Sequence, residues 1–385
     1  MAETDLTDAS DRSIEEPQTD ADARRLRGEF VRGVSGHRAW IGDTAHPPEP
    51  GRYHLHVALN CPWCHRVMLG RAVLGLTDAI TADVAHPNRT EADDPAGEGW
   101  WQFAPAKIAT LTDAPLPECT PETASGLNEG AGARLAIEIY RAERSSEKSL
   151  PILYDKRVRV ERASVNGANG NGGDGTGAIV SNESAEIVRM LNAHADALGG
   201  PAAIGPVPVA ASAPAPGASR LAVRPDLYPT DLASEIDRLN ARIYTDINNG
   251  AYKAGFSSDQ AVYAAAFERY FAAFAWLDDL LSDGRPYLSG ERFTEADLRL
   301  FPTLYRHDPV YTVRMKLNGA RVLDHPALWR WLCRVHALPG VAEAGSLTHC
   351  RQGYFGRSWN RTVPLGPTRP MPYPEAYEYP ELVDG

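Results

Sequence analysis

The stretch Cys61-Pro62-Trp63-Cys64-His65-Arg66 decides the fold of this chain. The alternating segment before it predicts a half-buried strand, because its apolar residues fall on one face at period two: Tyr53, Leu55, Val57 and Leu59. A helix is predicted directly after it, since Pro62 suits the first helical position, where a missing N–H costs nothing. The Cys61 sulfur would then lie near the unpaired N–H groups of a helix start. Those groups and the helix dipole favour a thiolate, so the motif predicts a reactive cysteine.

The cysteine pair is open to four other interpretations. Free cysteines often pack as small hydrophobic residues, which makes an inert buried pair the simplest alternative. Cys61-x-x-Cys64-His65 also matches the haem-attachment pattern, which usually requires export. A zinc site would need a second Cys/His pair, but the other cysteines are scattered singly, at Cys119, Cys333 and Cys350. A structural disulfide fits poorly with an unexported chain. Redox or thiol-transfer chemistry is therefore favoured, and we expect no metal.

Composition and charge restrict the partners. The chain has 385 residues, 43% of them hydrophobic and 23% charged, as expected for a soluble globular protein of two domains with tails. A net charge of -11 opposes binding to nucleic acid and to anionic membranes. The polar, acidic N-terminus is unlike an export signal, and five unevenly spaced cysteines fit a reducing cytoplasm. We expect a cytoplasmic protein without a nucleic-acid or membrane partner.

The first half of the chain follows the βαβ-ββα order of a thioredoxin-like domain. Further strands are predicted at residues 79–84, 150–155 and 178–180, and an amphipathic helix starts near residue 184. This domain would cover residues 51–198 with a long insertion. It would follow an N-terminal extension, residues 1–50, that is partly disordered.

The second half of the chain is predicted to be all-helical. A linker rich in Pro, Ala and Gly, residues 199–228, leads into a helical domain at residues 229–350. Thr294 and Asp297 are spaced as a capping box at a helix start. One long apolar stripe steps by three and four residues through Tyr263, Phe267, Tyr270, Phe274, Leu277 and Leu281. Residues 351–385 would form an extended C-terminal tail.

A thioredoxin-like half joined to such a helical half resembles the cytosolic glutathione transferases. Four dispersed motifs narrow the resemblance to the glutathionyl-hydroquinone reductases, or xi-class transferases: residues 61–66, 181–192, 247–256 and 306–311. The resemblance spans roughly residues 30–370. It implies a glutathione-dependent enzyme, a homodimer, that acts on small aromatic thioether conjugates.

The resemblance also implies a binding site for glutathione. Glu183 and Ser184, at the start of a helix, would hold its γ-glutamyl end. Leu150, before a cis-Pro151, would offer backbone hydrogen bonds to the cysteinyl unit. Trp101 is similar to a tryptophan that family members lay against glutathione.

An aromatic-substrate pocket is implied next to this thiol site. Tyr252, Arg306 and Tyr311 match family positions that line it, with Tyr305 and Tyr354 as further neighbours. Phenol hydroxyls can bond a hydroquinone oxygen, and Arg306 could favour its ionised form.

The implied reaction is thiol exchange rather than conjugation. The catalytic Cys61 thiolate would attack the glutathione sulfur of a glutathionyl-hydroquinone, giving a mixed disulfide and free hydroquinone. A second glutathione would then restore Cys61 and leave as oxidised glutathione.

The chain departs from the family pattern at two places. Cys64 stands where family members mostly carry alanine, and a second thiol there could expel the mixed disulfide internally. Only Lys148 could replace a family arginine near the thiol. An alternative function is therefore a glutaredoxin-like or dehydroascorbate-type disulfide reductase using both Cys61 and Cys64. The thiol co-substrate could be glutathione or another low-molecular-weight thiol.

Overall fold

The N-terminal half is built on one mixed sheet of four strands. The computed structural model describes residues 20–104, 133–159, 176–202 and 224–356. Its strands are β1 (Tyr53–Val57), β2 (Thr81–Val84), β3 (Ile152–Arg159) and β4 (Thr176–Ser181), in the spatial order β2-β1-β3-β4. β1 pairs with β2 in parallel, and β3 runs antiparallel to both β1 and β4. The predicted thioredoxin-like order is confirmed.

Four helices lie in the described part of the N-terminal half. They are α1 (Asp20–Leu26), α2 (Pro62–Val73), α3 (Ala136–Ala142) and α4 (Ser184–Ala193). The helix predicted after the cysteine motif begins where expected, with Cys61 as its N-cap and Pro62 as its first residue. The parallel β1–β2 connection through α2 fixes the end of β1 beside the start of that helix.

The prediction that β1 is half-buried is wrong. His54 and His56 are as inaccessible as the apolar residues between them, so both faces of the strand are covered. The second face is closed by a segment within the long insertion, where the Phe103 ring lies 5.3 Å from that of His56. Alternation with polar residues therefore did not mark a solvent-facing side here.

The described residues from 224 to 356 form an all-helical half, as predicted. Its α-helices are α5 (Ala233–Arg242), α6 (Asn249–Gly255), α7 (Gln260–Leu281), α8 (Glu295–Arg306), α9 (Thr312–Arg314), α10 (Pro326–His336) and α11 (Leu347–Phe355). Two π-helical segments (Ile243–Asn248 and His307–Tyr311) and three short 3₁₀ turns (Thr230–Leu232, Val322–Asp324 and Ala342–Ala344) connect them. The stripe predicted on one helix lies on α7, where Tyr270, Phe274, Leu277 and Leu281 are buried.

The predicted capping box at the start of α8 is confirmed. The Thr294 N–H donates to Asp297 Oδ2 at 3.0 Å, and the Thr294 hydroxyl accepts from the third helical N–H. Asp297 also accepts from the Trp331 indole at 2.8 Å, which ties α8 to α10. The box therefore fixes both the start of α8 and its packing.

The ends of the chain differ in part from expectation. Helix α11 runs to Phe355, five residues into the predicted tail. The predicted extension contacts both halves: the Gly28 carbonyl accepts from the Ser258 N–H of the helical half, whereas Ile41 is buried and the Ala39 N–H donates to Val180 O of β4. Most of the predicted linker, the rest of the tail and Cys119 lie outside the described residues. No helix among the described residues is long and apolar enough to cross a membrane.

Candidate functional site

Cys61 lies where the loop after β1 turns into α2. Its backbone is extended, with φ -85° and ψ 124°, and no side chain caps the helix. The sulfur is half-buried and lies 3.8 Å from the carbonyl oxygen of Leu150. The Leu150–Pro151 peptide bond is cis, as the sequence predicted. A sulfur that lies beside a helix start while it stays accessible is suited to act as a nucleophile.

The surroundings of Cys61 favour its ionised form. The pKa of its thiol is lowered to about 6, mainly by a hydrogen bond from the Cys64 thiol, against the opposing effect of burial. The helix-start N–H groups of Cys64 and Trp63 and the positive charge of Arg306 lower the pKa further. Cys61 is therefore largely a thiolate at neutral pH.

Cys64 differs from Cys61 in that its surroundings favour the protonated thiol. Its side chain is fully buried, and burial together with the neighbouring Cys61 sulfur raises its pKa well above the ordinary value. Cys64 therefore stays a protonated thiol that donates to its neighbour. The two sulfurs are close, but only Cys61 is placed to meet an incoming molecule.

Arg306, expected from the resemblance to line the aromatic pocket, lines neither cavity among the described residues. Its side chain is fully buried, and its guanidinium donates to Leu59 O at 2.6 Å and to Asn60 O at 3.2 Å. It also donates to Pro302 O and to Nδ1 of His65. With its donors already used by the protein, Arg306 holds the loop before Cys61 and adds its charge there.

A cavity of about 310 Å³, here called the Ser184 pocket, opens beside the cysteine motif. Its lining includes four residues predicted to bind the thiol co-substrate: Leu150, Pro151, Glu183 and Ser184. Ser184 is the first residue of α4, so the N–H groups of that helix start face the same region. Such a helix start favours an anionic group.

The polar residues of the Ser184 pocket are held in place from behind. The Glu183 carboxylate caps α4 by accepting from the Ala185 N–H at 3.2 Å, and it accepts from the Ser35 hydroxyl at 3.2 Å. The Ser184 hydroxyl accepts from the buried Arg66 guanidinium at 3.2 Å. Glu183 thus serves as a helix cap and also borders the cavity.

A wider cavity of about 810 Å³, here called the Cys61 cleft, contains the thiol itself. Trp101, which the resemblance places near the thiol cofactor, forms part of its wall. The Arg89 guanidinium lies 3.3 Å from the centre of the Trp101 ring, which fixes the ring by cation–π attraction. The cleft is therefore aromatic but has positive charge close by.

Two tyrosines bring hydroxyls to the Cys61 cleft. The Tyr252 and Tyr354 hydroxyls are 2.9 Å apart, and both residues line the cleft. Tyr311 does not line it; this tyrosine is fully buried behind Tyr354, with the two hydroxyls 3.1 Å apart. Burial raises the pKa of all three phenols, so they remain protonated donors. Tyr305 lines neither cavity within the described chain.

Arg32 is a site residue that the sequence did not reveal. It borders both cavities, 4.5 Å from the Trp63 ring centre and 4.8 Å from that of Tyr252. Its Nε donates to Asn249, while its buried Nη2 finds no hydrogen-bond partner among the described residues. The sequence offered one clue to Arg32, its position two residues after the aromatic Phe30. That clue lay in a segment interpreted as a loose extension.

Five residues form a wall common to both cavities: Arg32, Trp63, Lys148, Ser149 and Leu150. A molecule with its sulfur at Cys61 could therefore reach into the Ser184 pocket with one end and lie in the Cys61 cleft with the other. The two cationic side chains of this wall favour an anionic ligand.

Comparison with known proteins identifies relatives over nearly the whole chain. Residues 260–334 match the glutathione S-transferase C-terminal domain. The glutathionyl-hydroquinone reductase PcpF of Sphingobium chlorophenolicum is 34% identical over 91% of this chain and 94% of its own. YqjG of Escherichia coli, also named a glutathionyl-hydroquinone reductase, is 34% identical over 90% of this chain and 89% of its own.

Solved structures agree with these sequence relatives. The xi glutathione transferase of Phanerochaete chrysosporium superposes with a TM-score of 0.66 at 30% identity, covering 89% of this chain and 99% of that one. The glutathione-bound structure of YqjG gives a TM-score of 0.65 at 30% identity, covering 91% of this chain and 99% of that one. The likeness extends through both halves of the molecule.

Proposed function

Since the chain belongs to the glutathionyl-hydroquinone reductases of the xi glutathione transferase class, we propose that it releases hydroquinones from their glutathionyl thioethers. The observation that carries this proposal is the half-buried Cys61 thiolate, which lines an aromatic cleft that shares a wall with the Ser184 pocket. Glutathione is the co-substrate, and Cys61 is the catalytic residue.

The first step forms a mixed disulfide. The Cys61 thiolate attacks the thioether sulfur, a sulfur–sulfur bond forms, and the bond between that sulfur and the ring carbon breaks. The electron pair stays on the ring carbon, which takes a proton and leaves as hydroquinone. The ring carbon is thus reduced and the two sulfurs are oxidised. The protonated hydroxyls of Tyr252 and Tyr354, which lie in the same cleft, supply that proton.

The second step restores the enzyme. The thiolate of a second glutathione attacks the glutathionyl sulfur of the mixed disulfide, and oxidised glutathione leaves. Cys61 is a good leaving group because its pKa is lowered. The same surroundings therefore assist both steps.

The thiol co-substrate is bound mainly through its charged ends. Glu183 receives the γ-glutamyl ammonium, while the Ser184 hydroxyl and the start of α4 receive the neighbouring carboxylate. Leu150 offers its backbone to the cysteinyl unit, and Lys148 and Arg32 neutralise a remaining carboxylate. We further propose that the enzyme works as a homodimer in a reducing cytoplasm. The four described cysteines, which are all unbridged, are consistent with that compartment.

Cys64 supports the thiolate rather than expelling the bound thiol. Its sulfur is buried and its pKa is raised, so it is a poor nucleophile where it stands. The dithiol reductase alternative therefore has less support than the single-cysteine cycle.

Product analysis tests the proposal directly. The purified protein is mixed with a glutathionyl-hydroquinone and excess glutathione, and free hydroquinone and oxidised glutathione are quantified by chromatography. We expect equal amounts of both products, and none above background from Cys61→Ser. A Cys333→Ser variant, changed at a buried cysteine remote from both cavities, should match the wild type. Hydroquinone release by Cys61→Ser at the wild-type rate would refute the proposal.

A further inference from the structure

Two histidines and one aspartate meet on the covered face of the sheet, away from both cavities. His54 and His56 lie two residues apart on β1, so their side chains leave the same face. In the parallel pairing, His54 is opposite Thr81 and His56 is opposite Asp83. Two neighbouring strands thus bring the three side chains together by their register alone.

The side-chain atoms of this cluster have the spacing of metal ligands. His54 Nε2 is 3.3 Å and His56 Nδ1 is 3.7 Å from Asp83 Oδ2, and all three donor atoms lie within 4.8 Å of one another. Donor atoms bound at about 2.0 Å in tetrahedral zinc sites are about 3.3 Å apart. Small adjustments of the side chains would therefore seat an ion between them.

The cluster is already oriented as the surroundings of a metal site require. His54 Nδ1 lies 2.7 Å from the Thr81 hydroxyl, which fixes the ring with Nε2 turned toward Asp83. That Nε2 is buried, yet it has no hydrogen-bond partner among the described residues. Metal-binding histidines are usually held in this way through their other ring nitrogen.

We infer that His54, His56 and Asp83 bind one divalent transition-metal ion, with zinc as the best fit to two imidazoles and a carboxylate. All three residues are completely inaccessible, and none lines the Ser184 pocket or the Cys61 cleft. The ion therefore has no access to substrate and serves to hold β1, β2 and the covering segment around Phe103 together. This role is independent of the function proposed for Cys61.

Metal content of the full-length protein tests the inference. Protein stripped with a chelator is loaded with zinc, desalted and analysed by inductively coupled plasma mass spectrometry. Cobalt loading gives a second readout through its visible absorption. We expect one equivalent in the wild type and at least a tenfold lower content in His56→Phe and Asp83→Asn. Thr81→Val, a milder change that keeps all three ligands, should weaken zinc affinity about tenfold or more.

Two control variants separate this cluster from other possible ligands. His336→Phe changes a buried histidine in the helical half, and Cys61→Ser removes the reactive thiol; both should bind one equivalent. A wild-type protein that retains no zinc would overturn the inference. So would zinc binding that is lost with Cys61 but kept in folded Asp83→Asn, with folding checked by circular dichroism.

Discussion

The Cys64 thiol donates a hydrogen bond to the Cys61 sulfur, and this contact is the largest cause of the lowered Cys61 pKa. Cys64→Ala removes the donor, so the pKa of Cys61 should rise from about 6 toward the ordinary thiol range. The thiolate is the form that reacts with iodoacetamide, and its fraction increases as the pH rises through the pKa. We expect the pH midpoint of the alkylation rate to be near 6 in the wild type and higher in Cys64→Ala.

A control for this shift is Cys333→Ala, which removes a buried thiol far from the cleft and should leave the midpoint unchanged. An unchanged midpoint in Cys64→Ala would contradict this, because the helix start and Arg306 would then ionise Cys61 without the Cys64 donor. Hydroquinone release measured at low pH should fall in the same variant, because less thiolate is present there.

Arg32 offers a second residue-scale prediction. Its unpaired Nη2 borders both cavities, so we expect it to hold an anionic group of the bound conjugate. A charged hydrogen bond contributes about 1.5 to 3 kcal/mol, so Arg32→Gln should raise KM roughly tenfold or more with a smaller change in kcat. Arg27→Gln, exposed in the same N-terminal segment, should behave as the wild type. If both variants raised KM equally, the effect would come from the net charge of the N-terminal segment and not from a contact of Arg32 with the ligand.

The sequence alone predicted some residues of the candidate site but not others. Cys61, Glu183, Ser184, Leu150 and Trp101, which were named from a motif, a helix start or the family resemblance, all line one of the two cavities. Arg306 was expected in the pocket wall but lines neither cavity among the described residues, because a sequence cannot show that backbone carbonyls already bind a guanidinium. The metal site inferred at His54, His56 and Asp83 was not predicted either, since only strand register brings Asp83 opposite His56.

At the scale of single elements, α11 carries Tyr354 into the cleft and depends on its own N-cap. The Ser346 hydroxyl accepts from the His349 N–H at 3.2 Å. Ser346→Ala leaves that N–H unpaired and should lower the free energy of unfolding by about 1 kcal/mol. Urea titration followed by circular dichroism measures this change. Ser346→Asp restores an acceptor and should recover most of the loss; equal losses in both variants would contradict a capping role.

Element prediction succeeded where local chemistry decides the structure. Pro62 at a helix start and the Thr294–Asp297 capping box each fixed a boundary within one residue. Burial was harder to predict, because the second face of β1 is covered by a segment far along the chain. The alternating pattern of β1 indicated a strand but not what packs on it.

At the scale of the whole molecule, Arg306 joins the two halves. It ends α8 in the helical half, and its guanidinium binds the carbonyls of Leu59 and Asn60 in the sheet half. Arg306→Met leaves these buried carbonyls unpaired, so we expect a loss of about 3 kcal/mol in unfolding free energy. The Cys61 pKa should also rise, because a positive charge that lowers it is gone.

Arg321→Met is the matched control for Arg306. Arg321 is exposed and pairs only with Asp324 among the described residues, and such surface pairs contribute about 0 to 1 kcal/mol. Urea unfolding should therefore separate the two variants clearly. If Arg306→Met were as stable as Arg321→Met, the link between the halves would carry little energy.

The breadth of the Cys61 cleft has a consequence for selectivity. In the proposed cycle, the glutathionyl group bound to Cys61 would fill the Ser184 pocket after the first step, so the second glutathione would have to enter through the space that the released hydroquinone has left. A cleft that fitted only one hydroquinone would exclude this larger second glutathione, and turnover would stop. The Cys61 cleft, with a volume of about 810 Å³, has to admit first the aromatic conjugate and then glutathione. Tolerance toward many ring substituents is therefore a consequence of this requirement.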